Sequence, residues 1–363
     1  MALILTFLGK GGTGRTTIAI AAAKKLASLG KRVLLAAEDN IALGVLIKAT
    51  LAPDPQELAP NLQVVQFKTS LLLERNWEEV KKLEAQYLRT PIIKDVYGQE
   101  LVVLPGMDKA LILNAIREYD ASDNYDAIVY DGGSDSTTLR MLGMAESLSW
   151  YSRRFGKLLA DSDIGRTVTP FLQPLISTIS NVNWTGDIAQ PTSKLTNILE
   201  QGKAALADPQ RFCAYLVTTD DPASVATARY LWGSAQLVGL TVGGAIFNQT
   251  TMTETASSAD FSPLPVSAVP TCPAGEWQPL IDALPDFTPT PSVPKPLQFD
   301  IAARQVRLFL PGFDKKQVKL TQSGTEITIE AGDQRRNILL PSSLSGRTVT
   351  GAKFQQEYLI ISL

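Results

Sequence analysis

Residues 9–17 (GKGGTGRTT) carry the glycines, basic side chains and hydroxyls of a phosphate-binding loop. Consecutive glycines let backbone N–H groups turn towards phosphate oxygens, and the N-terminus of a following helix adds a positive end. A plain strand-to-helix turn is the weaker alternative, because the G-x-x-x-x-G-[basic]-[ST] spacing follows an apolar run. The candidate nucleotide ligands are Gly11, Gly12, Thr13, Gly14, Arg15, Thr16 and Thr17, and the Thr16 hydroxyl is also placed to ligate Mg²⁺.

The two basic residues of this loop depart from the usual pattern. Arg15 stands where such loops carry the lysine that grips the phosphates, and a different lysine, Lys10, stands at the second position. An arginine keeps the positive charge, but its planar fork is bulkier than the point charge of lysine, and the two are not interchangeable. We therefore expect nucleotide binding to survive better than turnover, which predicts slow hydrolysis.

A carboxylate at the end of another predicted strand supports the same chemistry. Residues 127–130 (AIVY) form an apolar run that ends at Asp131 and is followed by Gly132 and Gly133. A carboxylate at this point can hold Mg²⁺ through water, and the glycines let the loop rearrange when the γ-phosphate leaves. Strands often end in Asp-Gly turns, so the motif is weak alone. Together with the loop it predicts a Walker B aspartate and a switch II segment.

Composition restricts the chemistry further. The chain of 363 residues has no histidine, two widely separated cysteines, Cys213 and Cys272, and a net charge of −2. These counts argue against histidine acid–base catalysis, a zinc site within one chain and a nucleic-acid partner. No stretch has the roughly 20 apolar residues of a membrane span. Because the first predicted strand follows Met1 directly, we expect no signal peptide and a cytoplasmic protein, or one in an organelle stroma if a transit peptide has been removed.

Short apolar strands that alternate with helical stretches must position these residues. The predicted strands are residues 3–8, 32–37, 62–67, 100–104, 127–130, 212–218 and 242–247. This alternation predicts an α/β fold, a mostly parallel P-loop NTPase sheet with helices on both faces. Its ligands should bind at the carboxyl ends of the strands.

The rest of the chain divides into a helical region, a linker and an all-β region. Strand signals stop between residues 150 and 206, which predicts an inserted helical subdomain. Five prolines in residues 284–296 predict a stiff linker. Apolar runs at residues 305–310, 318–320, 326–329, 337–340 and 358–363, separated by turns, predict a C-terminal all-β sandwich. The predicted boundaries are therefore a nucleotide-binding domain over residues 1–284, the linker over 285–296 and the sandwich over 297–363.

With these motifs in order, the first ~280 residues resemble the ArsA/GET-type ATPases of the deviant-Walker P-loop class. The resemblance rests on GKGGTGRT at residues 9–16 and on DGGSDSTTLR at residues 131–140, against the family's D-T-A-P-T-G-H-T-L-R. It also rests on PGMDKA at residues 105–110, against P-G-x-x-E-A. It implies ATP or ADP with Mg²⁺, a face-to-face homodimer in which Lys10 reaches the partner's nucleotide, and an adenine contact from Asn248.

Switch I departs from the family pattern. The family reads D-P-A after the second strand, and its aspartate orients the attacking water; here the residues are Glu38, Asp39 and Asn40. An ungapped alignment puts Glu38 at the aspartate position, with Asp39 one residue away. Either carboxylate could orient water, and a solvated pair at a strand end is the alternative interpretation.

The family includes several functions, which the sequence narrows. Arsenite-pump members sense the metalloid with clustered cysteine thiolates, and this chain has no such cluster, so that role is disfavoured. Members that target tail-anchored membrane proteins hold them in a hydrophobic groove made by helical subdomains of both subunits, which residues 150–206 could provide. The eukaryotic members close with a Cys-x-x-Cys zinc clasp, which this sequence lacks, so no zinc is expected. Septum-positioning relatives of the MinD type attach by an amphipathic C-terminal helix, whereas this sequence ends in a β-region.

The C-terminal region resembles an α-crystallin (small heat-shock protein) domain. The resemblance rests on VRLFLPGFD at residues 306–314, GDQRRNILLP at residues 332–341 and GRTVTGA at residues 346–352. The usual A-x-x-x-x-G-V-L ending is degraded after Ala352, and no assembly tail follows it. We therefore expect a docked or regulatory module rather than an oligomer-forming chaperone domain.

Two functional hypotheses follow from these resemblances. The first is a dimeric, slowly hydrolysing ATPase that carries hydrophobic clients, such as tail-anchored membrane proteins, in a nucleotide-gated groove, with a membrane receptor as a further candidate partner. The second is a chaperone holdase for unfolded proteins, in which nucleotide only sets the conformation. The long helical segment favours the first. A metabolic enzyme of the dethiobiotin-synthetase type is a distant third, because no substrate motif emerges.

Overall fold

The chain forms two compact units in the part that the computed structural model describes, which is residues 1–38, 41–87, 95–160, 191–250, 258–273, 275–287 and 293–363. One unit contains residues 1–66, 123–143 and 205–363. The other contains residues 67–122 and 144–204. The phosphate-binding loop, the switch segments and the C-terminal β-region therefore all belong to the first unit.

An eight-stranded sheet lies at the centre of the first unit, counted over the described residues. Its strands are β1 (Leu3–Leu8), β2 (Val33–Ala37), β3 (Gln56–Ala59), β4 (Leu62–Gln66), β5 (Ala127–Asp131), β6 (Phe212–Thr218), β7 (Val242–Asn248) and β8 (Val266–Val269), in the order β3-β4-β2-β5-β1-β6-β7-β8. Every neighbouring pair is parallel except β3 with β4. Since β1 lies between β5 and β6, the loop after β1 lies beside the ends of both neighbours.

Helices cover this sheet and form most of the second unit. They are α1 (Arg15–Ser28), α2 (Ile41–Ile47), α3 (Thr69–Tyr87), α4 (Met107–Ala121), α5 (Asp135–Leu142), α6 (Met144–Ala160), α7 (Pro191–Ala207), α8 (Pro222–Val238) and α9 (Gln278–Ala283). In α1 the alanine-rich residues 18–23 are all buried, because small side chains let the helix lie close to the sheet. The helix ends before Gly30, whose left-handed φ of 82° is typical of a helix C-terminus.

The sequence-based strands agree with the sheet except in one place. Strands β2, β5, β6 and β7 are buried at every residue, as expected where helices cover both faces of a parallel sheet. The prediction of a strand over residues 100–104 is wrong. A turn of 3-10 helix spans Gly98–Glu100, and the residues after it have no regular structure. There Val102 and Leu104 are exposed, so this apolar run lacks the burial that the prediction assumed.

The second unit is helical in its described part. Leu73 of α3 packs with Met107 and Leu111 of α4 in a small core. Helices α6 and α7 lie at the two ends of the predicted helical subdomain, and residues 161–190 between them lie outside the described residues. The predicted client groove therefore stays a prediction. Among the described helices, none combines the length and apolar character needed to cross a membrane.

The C-terminal β-region consists of two antiparallel sheets. Strands β9 (Leu297–Asp300), β10 (Gln305–Phe309), β14 (Gly351–Gln355) and β15 (Tyr358–Ser362) pair in the order β14-β15-β10-β9, and β11 (Val318–Ser323), β12 (Glu326–Ala331) and β13 (Gln334–Leu339) form the second sheet. Val306 and Leu308 of the first sheet share one core with Ile327 and Ile329 of the second. The predicted fold class, a mostly parallel α/β sheet followed by an all-β sandwich, is confirmed.

The sandwich packs against helix α8 of the nucleotide-binding part. Leu237 of α8 joins the sandwich core. Trp232 is fully buried, with its ring centroid 5.2 Å from that of Phe309 in an edge-on arrangement, and the ring of Tyr230 lies 5.1 Å from that of Phe313. Each large apolar side chain buried in this way contributes on the order of 1.5–3 kcal/mol. The sandwich is therefore docked, in agreement with the expectation from the sequence.

Two ion pairs accompany this apolar contact. Arg229 of α8 pairs with Glu357 in the turn between β14 and β15, and Arg140 of α5 pairs with Asp333 between β12 and β13. The second pair is exposed and adds little to stability. It nevertheless places the sandwich in direct contact with the helix that follows Asp131.

Candidate nucleotide site

The loop between β1 and α1 has a backbone shape that suits a polyphosphate. Gly12 and Gly14 adopt φ values of 90° and 88°, which glycine reaches without strain. Gly14 is the N-cap of α1 and has no side chain to cap it, so the positive end of the helix dipole faces the loop. At Gly11 and Gly12 the space that a Cβ would enter is open, with no other atom within 4 Å. The loop therefore fits the phosphates of ATP or ADP.

Asn248 holds this loop in place from the end of β7. Its side chain is buried, and Nδ2 donates a hydrogen bond of 2.9 Å to the carbonyl oxygen of Thr13. The amide lies so close to Gly14 that a Cβ there would overlap it. Thr13 in turn donates through Oγ1 to the carbonyl oxygen of Lys10 at 2.8 Å. Asn248 thus lies at the nucleotide loop as predicted by resemblance, while its adenine contact stays a prediction.

Arg15 is engaged by a carboxylate of the switch II segment. Its Nη1 lies 2.5 Å from Oδ1 of Asp135, the first residue of α5, and the two side chains are 20% and 14% exposed. Burial raises the pKa of Asp135 to about 6, although the charge of Arg15 and a hydrogen bond from the Gly9 N–H oppose the shift. At neutral pH the two groups therefore form an ion pair at the mouth of the phosphate loop.

Glu38, one of the two switch I carboxylates, lies against switch II. Tyr130 of β5 donates a hydrogen bond of 2.5 Å from its hydroxyl to Oε1 of Glu38. Burial and the charge of Glu38 raise the pKa of Tyr130 above its usual value, so the hydroxyl keeps its proton and remains a donor. The other oxygen, Oε2, lies against Gly133, 2.9 Å from where a Cβ would be. Asp39 lies outside the described residues, and the water-orienting role of either carboxylate stays a prediction.

The two predicted Mg²⁺ ligands belong to neighbouring elements of the same sheet edge. Asp131 is the last residue of β5 and is 4% exposed, and Thr16 lies in the first turn of α1. Strands β1 and β5 pair in parallel, so the carboxyl end of β5 and the loop after β1 lie side by side. A carboxylate and a hydroxyl are oxygen ligands of the kind that Mg²⁺ prefers, with the nucleotide phosphates completing its shell. The donor set therefore fits Mg²⁺-ATP.

Lys10 stands at the exposed side of the loop. Its side chain is 47% exposed, and Nζ lies 4.0 Å from the carboxylate of Asp221. Asp221 is the N-cap of α8, where it accepts a hydrogen bond from the Ser224 N–H at 2.9 Å. An exposed pair at this distance is weak, so Lys10 can exchange this partner for another anion. Its predicted reach to a partner subunit's nucleotide stays a prediction.

Three side chains near the loop were given no role by the sequence. Asp135 stands in the switch II run where the family motif has threonine, and this departure was the available signal. Tyr130 was hidden as one more apolar residue of a buried strand, because its hydrogen bond to Glu38 depends on the pairing of β2 with β5. Asp221 could have been found as an N-cap before a proline, which is a recognised helix start.

Two protein families match the chain in consecutive segments. The anion-transporting ATPase family (ArsA) matches residues 2–263, and the HSP20-like domain found in ArsA matches residues 302–363. The first match covers the loop, both switch segments and Asn248. The second covers most of the docked sandwich.

Two curated relatives span both segments, and a third covers part of the chain. A putative arsenical pump-driving ATPase of Chlorobaculum tepidum is 24% identical over 396 aligned positions, which cover 99% of this chain and 95% of that protein. A putative arsenical pump-driving ATPase 1 of Aquifex aeolicus is 22% identical and covers 99% of both chains. ATPase get3 of Schizosaccharomyces japonicus is 25% identical over 42% of this chain and 48% of its own length. With the loop, switch and sandwich geometry in agreement with both family matches, the chain belongs to the ArsA family of ATPases and carries that family's HSP20-like domain.

Proposed function

We propose that this ATPase works as a cytoplasmic homodimer that binds Mg²⁺-ATP, hydrolyses it slowly and uses the cycle to carry hydrophobic protein segments. The observation that carries the nucleotide part is that three features lie at the carboxyl ends of the neighbouring parallel strands β1, β5 and β2. These are the uncapped N-terminus of α1, the buried Asp131 at the end of β5, and the Glu38 carboxylate held by Tyr130 beside Gly133.

The residues divide the work of hydrolysis in a way that follows from their positions. The loop N–H groups and Arg15 would hold the phosphates, and Thr16 and Asp131 would hold Mg²⁺, which neutralises charge that develops on the phosphates. Glu38, held by Tyr130, would orient the attacking water. Loss of the γ-phosphate would release the Gly132-Gly133 segment, which couples the reaction to α5.

Slow turnover is the first testable part of this proposal. Arg15 keeps a charge on the phosphates, but its planar fork is bulkier than the point charge of lysine. We expect Arg15→Lys to raise the rate of phosphate release at saturating ATP, and Lys10→Ala to lower it without abolishing ATP binding. Vigorous hydrolysis by the wild type that lysine does not improve would contradict the role given to Arg15.

Arsenite chemistry does not fit the thiols of this chain. The chain has only Cys213 and Cys272, so one chain cannot supply three thiolates. Cys213 is fully buried in β6, and burial raises the pKa of its thiol to about 12. A thiol that keeps its proton at neutral pH is a poor metalloid ligand. We therefore propose a protein client, as the resemblance to the targeting members of the family implies.

The HSP20-like domain supports one alternative, a nucleotide-regulated holdase for unfolded proteins. Binding of a peptide containing a single transmembrane helix, compared with binding of a globally unfolded soluble protein, separates the two functions. A carrier should bind the helix in a way that changes between ATP and ADP and should bind the unfolded protein weakly. Equal, nucleotide-independent binding of both would favour the holdase. Sedimentation with and without ATP analogues tests the homodimer.

A further inference from the structure

The Arg15–Asp135 ion pair joins the nucleotide loop to switch II. Arg15 is the residue that replaces the usual lysine of this loop. The side chains of Arg15 and Asp135 are both largely buried. Asp135 also accepts a hydrogen bond from the backbone N–H of Gly9, the first residue of the loop. The Asp135 carboxylate therefore contacts the loop twice, at the side chain of Arg15 and at the backbone of Gly9.

This arrangement pairs a carboxylate with the basic residue at the phosphate-gripping position of the loop. Arg15 occupies the position from which such loops grip the phosphates, and a guanidinium that is bidentate to phosphate has a different geometry from one held by a carboxylate. A carboxylate and a phosphate that share one cation in a partly buried site repel each other. A guanidinium that turns to grip a phosphate bidentately leaves the carboxylate, so Asp135 and the phosphates compete for Arg15.

We propose that Asp135 is a positioning residue that holds Arg15 before nucleotide binds and gives it up to the phosphates, so that nucleotide binding releases the start of α5. This inference rests on the proposed nucleotide function of the loop. In this inference Arg15 and Asp135 act together as one switch. Arg15 serves as phosphate ligand only after the switch II carboxylate has left it.

Nucleotide affinity, measured by calorimetry with Mg²⁺-ADP and with Mg²⁺ and a non-hydrolysable ATP analogue, tests this switch directly. We expect Asp135→Asn to lower the Kd for both nucleotides by about tenfold, because a competing charge is removed while the shape is kept. In an Arg15→Gln background the same substitution should change the Kd by less than about twofold, since a double-mutant cycle isolates an effect that acts through Arg15. Asp135→Glu should retain a wild-type-like Kd.

The kinetic pattern separates positioning from a structural role. The KM for ATP should fall in Asp135→Asn while kcat does not rise, because the removed carboxylate acts on binding. Asp135→Ser provides a second variant if the Asp135→Asn protein does not fold. Asp126→Asn is the matched control, because Asp126 also pairs with an arginine, Arg32, through an Nη2–Oδ1 contact of 2.8 Å, but in an exposed position at the amino end of β5. Its Kd should equal that of the wild type.

Each outcome decides one of the two proposals. A wild type that binds neither nucleotide overturns the proposed function. If the wild type binds nucleotide but Asp135→Asn and Asp135→Ser have an unchanged or higher Kd, the inference alone is overturned. Tightening of equal size in the Arg15→Gln background would also overturn it, because Asp135 would then act on the phosphates without Arg15.

Discussion

At the scale of single residues, the site depends on buried polar side chains that hold other groups. Tyr130 is fully buried and donates its hydroxyl proton to Glu38, and Asn248 donates its amide to the backbone of Thr13. A buried donor that loses its acceptor costs about 1–3 kcal/mol, so each pair fixes its acceptor firmly. Glu38 is consequently a firmly positioned switch I carboxylate, held by Tyr130.

Separate neutralisation of the two carboxylates tests this assignment. We expect Glu38→Gln to lower kcat for ATP hydrolysis by roughly 10²-fold or more, within the range for a positioned base, while Asp39→Asn changes it little. Tyr130→Phe should lower kcat by a smaller factor with the KM unchanged, because it frees the Glu38 carboxylate without touching the phosphates. The reverse order, with Asp39→Asn as the inactive variant, would transfer the role to Asp39.

The sequence identified the ligand types of the site but not the contacts among them. Spacing pointed to the loop and Asp131, because these motifs are local in the chain, and the resemblance to the family pointed to the switch I pair. The Glu38–Tyr130 and Arg15–Asp135 pairs join residues about 90 and 120 positions apart, so they depend on which strands are neighbours. No local pattern encodes such a contact.

At the scale of elements, helix α8 serves both the sheet and the sandwich. Its N-cap Asp221 lies beside Lys10 of the nucleotide loop, and its last turns contribute Leu237 to the sandwich core. The helix carries 11 buried residues of its 17, which is more than a one-sided amphipathic stripe provides. Such a helix is buried around most of its surface because two layers cover it.

Gly233 is a point of close approach between α8 and the sandwich. A Cβ at this position would overlap the carbonyl oxygen of Pro311 and meet the Phe313 ring at 2.7 Å. We expect Gly233→Ala to lower the free energy of unfolding by about 1–3 kcal/mol, as overpacking does, in spite of the better helix propensity of alanine. The measurement is the urea midpoint. Gly351→Ala is the control, because no atom lies within 4 Å of the place that its Cβ would take, and an equal shift there would refute the packing argument.

Strong apolar periodicity predicted most of the helices and strands. Its absence explains why some strands were not predicted. Strand β3 reads QELA and β14 reads GAKFQ, and both lie at sheet edges where exposed polar residues are acceptable. Residues 100–104 show the opposite error. Their apolar run suggested a strand, but the chain there runs exposed between a 3-10 turn and α4.

At the scale of the whole molecule, the sandwich belongs to the same compact unit as the nucleotide-binding sheet. Its contact includes the fully buried Trp232 and reaches α5 through the Arg140–Asp333 pair. A module docked in this way stabilises the part that it covers. Movement of α5 on nucleotide binding would also change the contact between α5 and the sandwich at the Arg140–Asp333 pair.

Removal of the sandwich tests this dependence. We expect a chain that ends at residue 296 to melt roughly 5–10 °C below the full chain, since a loss of a few kcal/mol shifts the Tm of a domain of this size by about 2–4 °C per kcal/mol. Its tryptophan emission should shift to the red, because Trp232 loses its cover. An unchanged Tm and emission would show a tethered, independent module.

Because the chain is synthesised from its N-terminus, helix α8 emerges before the sandwich that docks on it. Trp232 leaves the ribosome roughly 80 residues before Phe309, the ring that covers it. At about 5–20 residues per second, the apolar side of α8 waits on the order of 4–15 s for its cover. During that interval the nascent chain presents the kind of surface that chaperones recognise, so the protein that we propose as a carrier of hydrophobic segments begins as such a client.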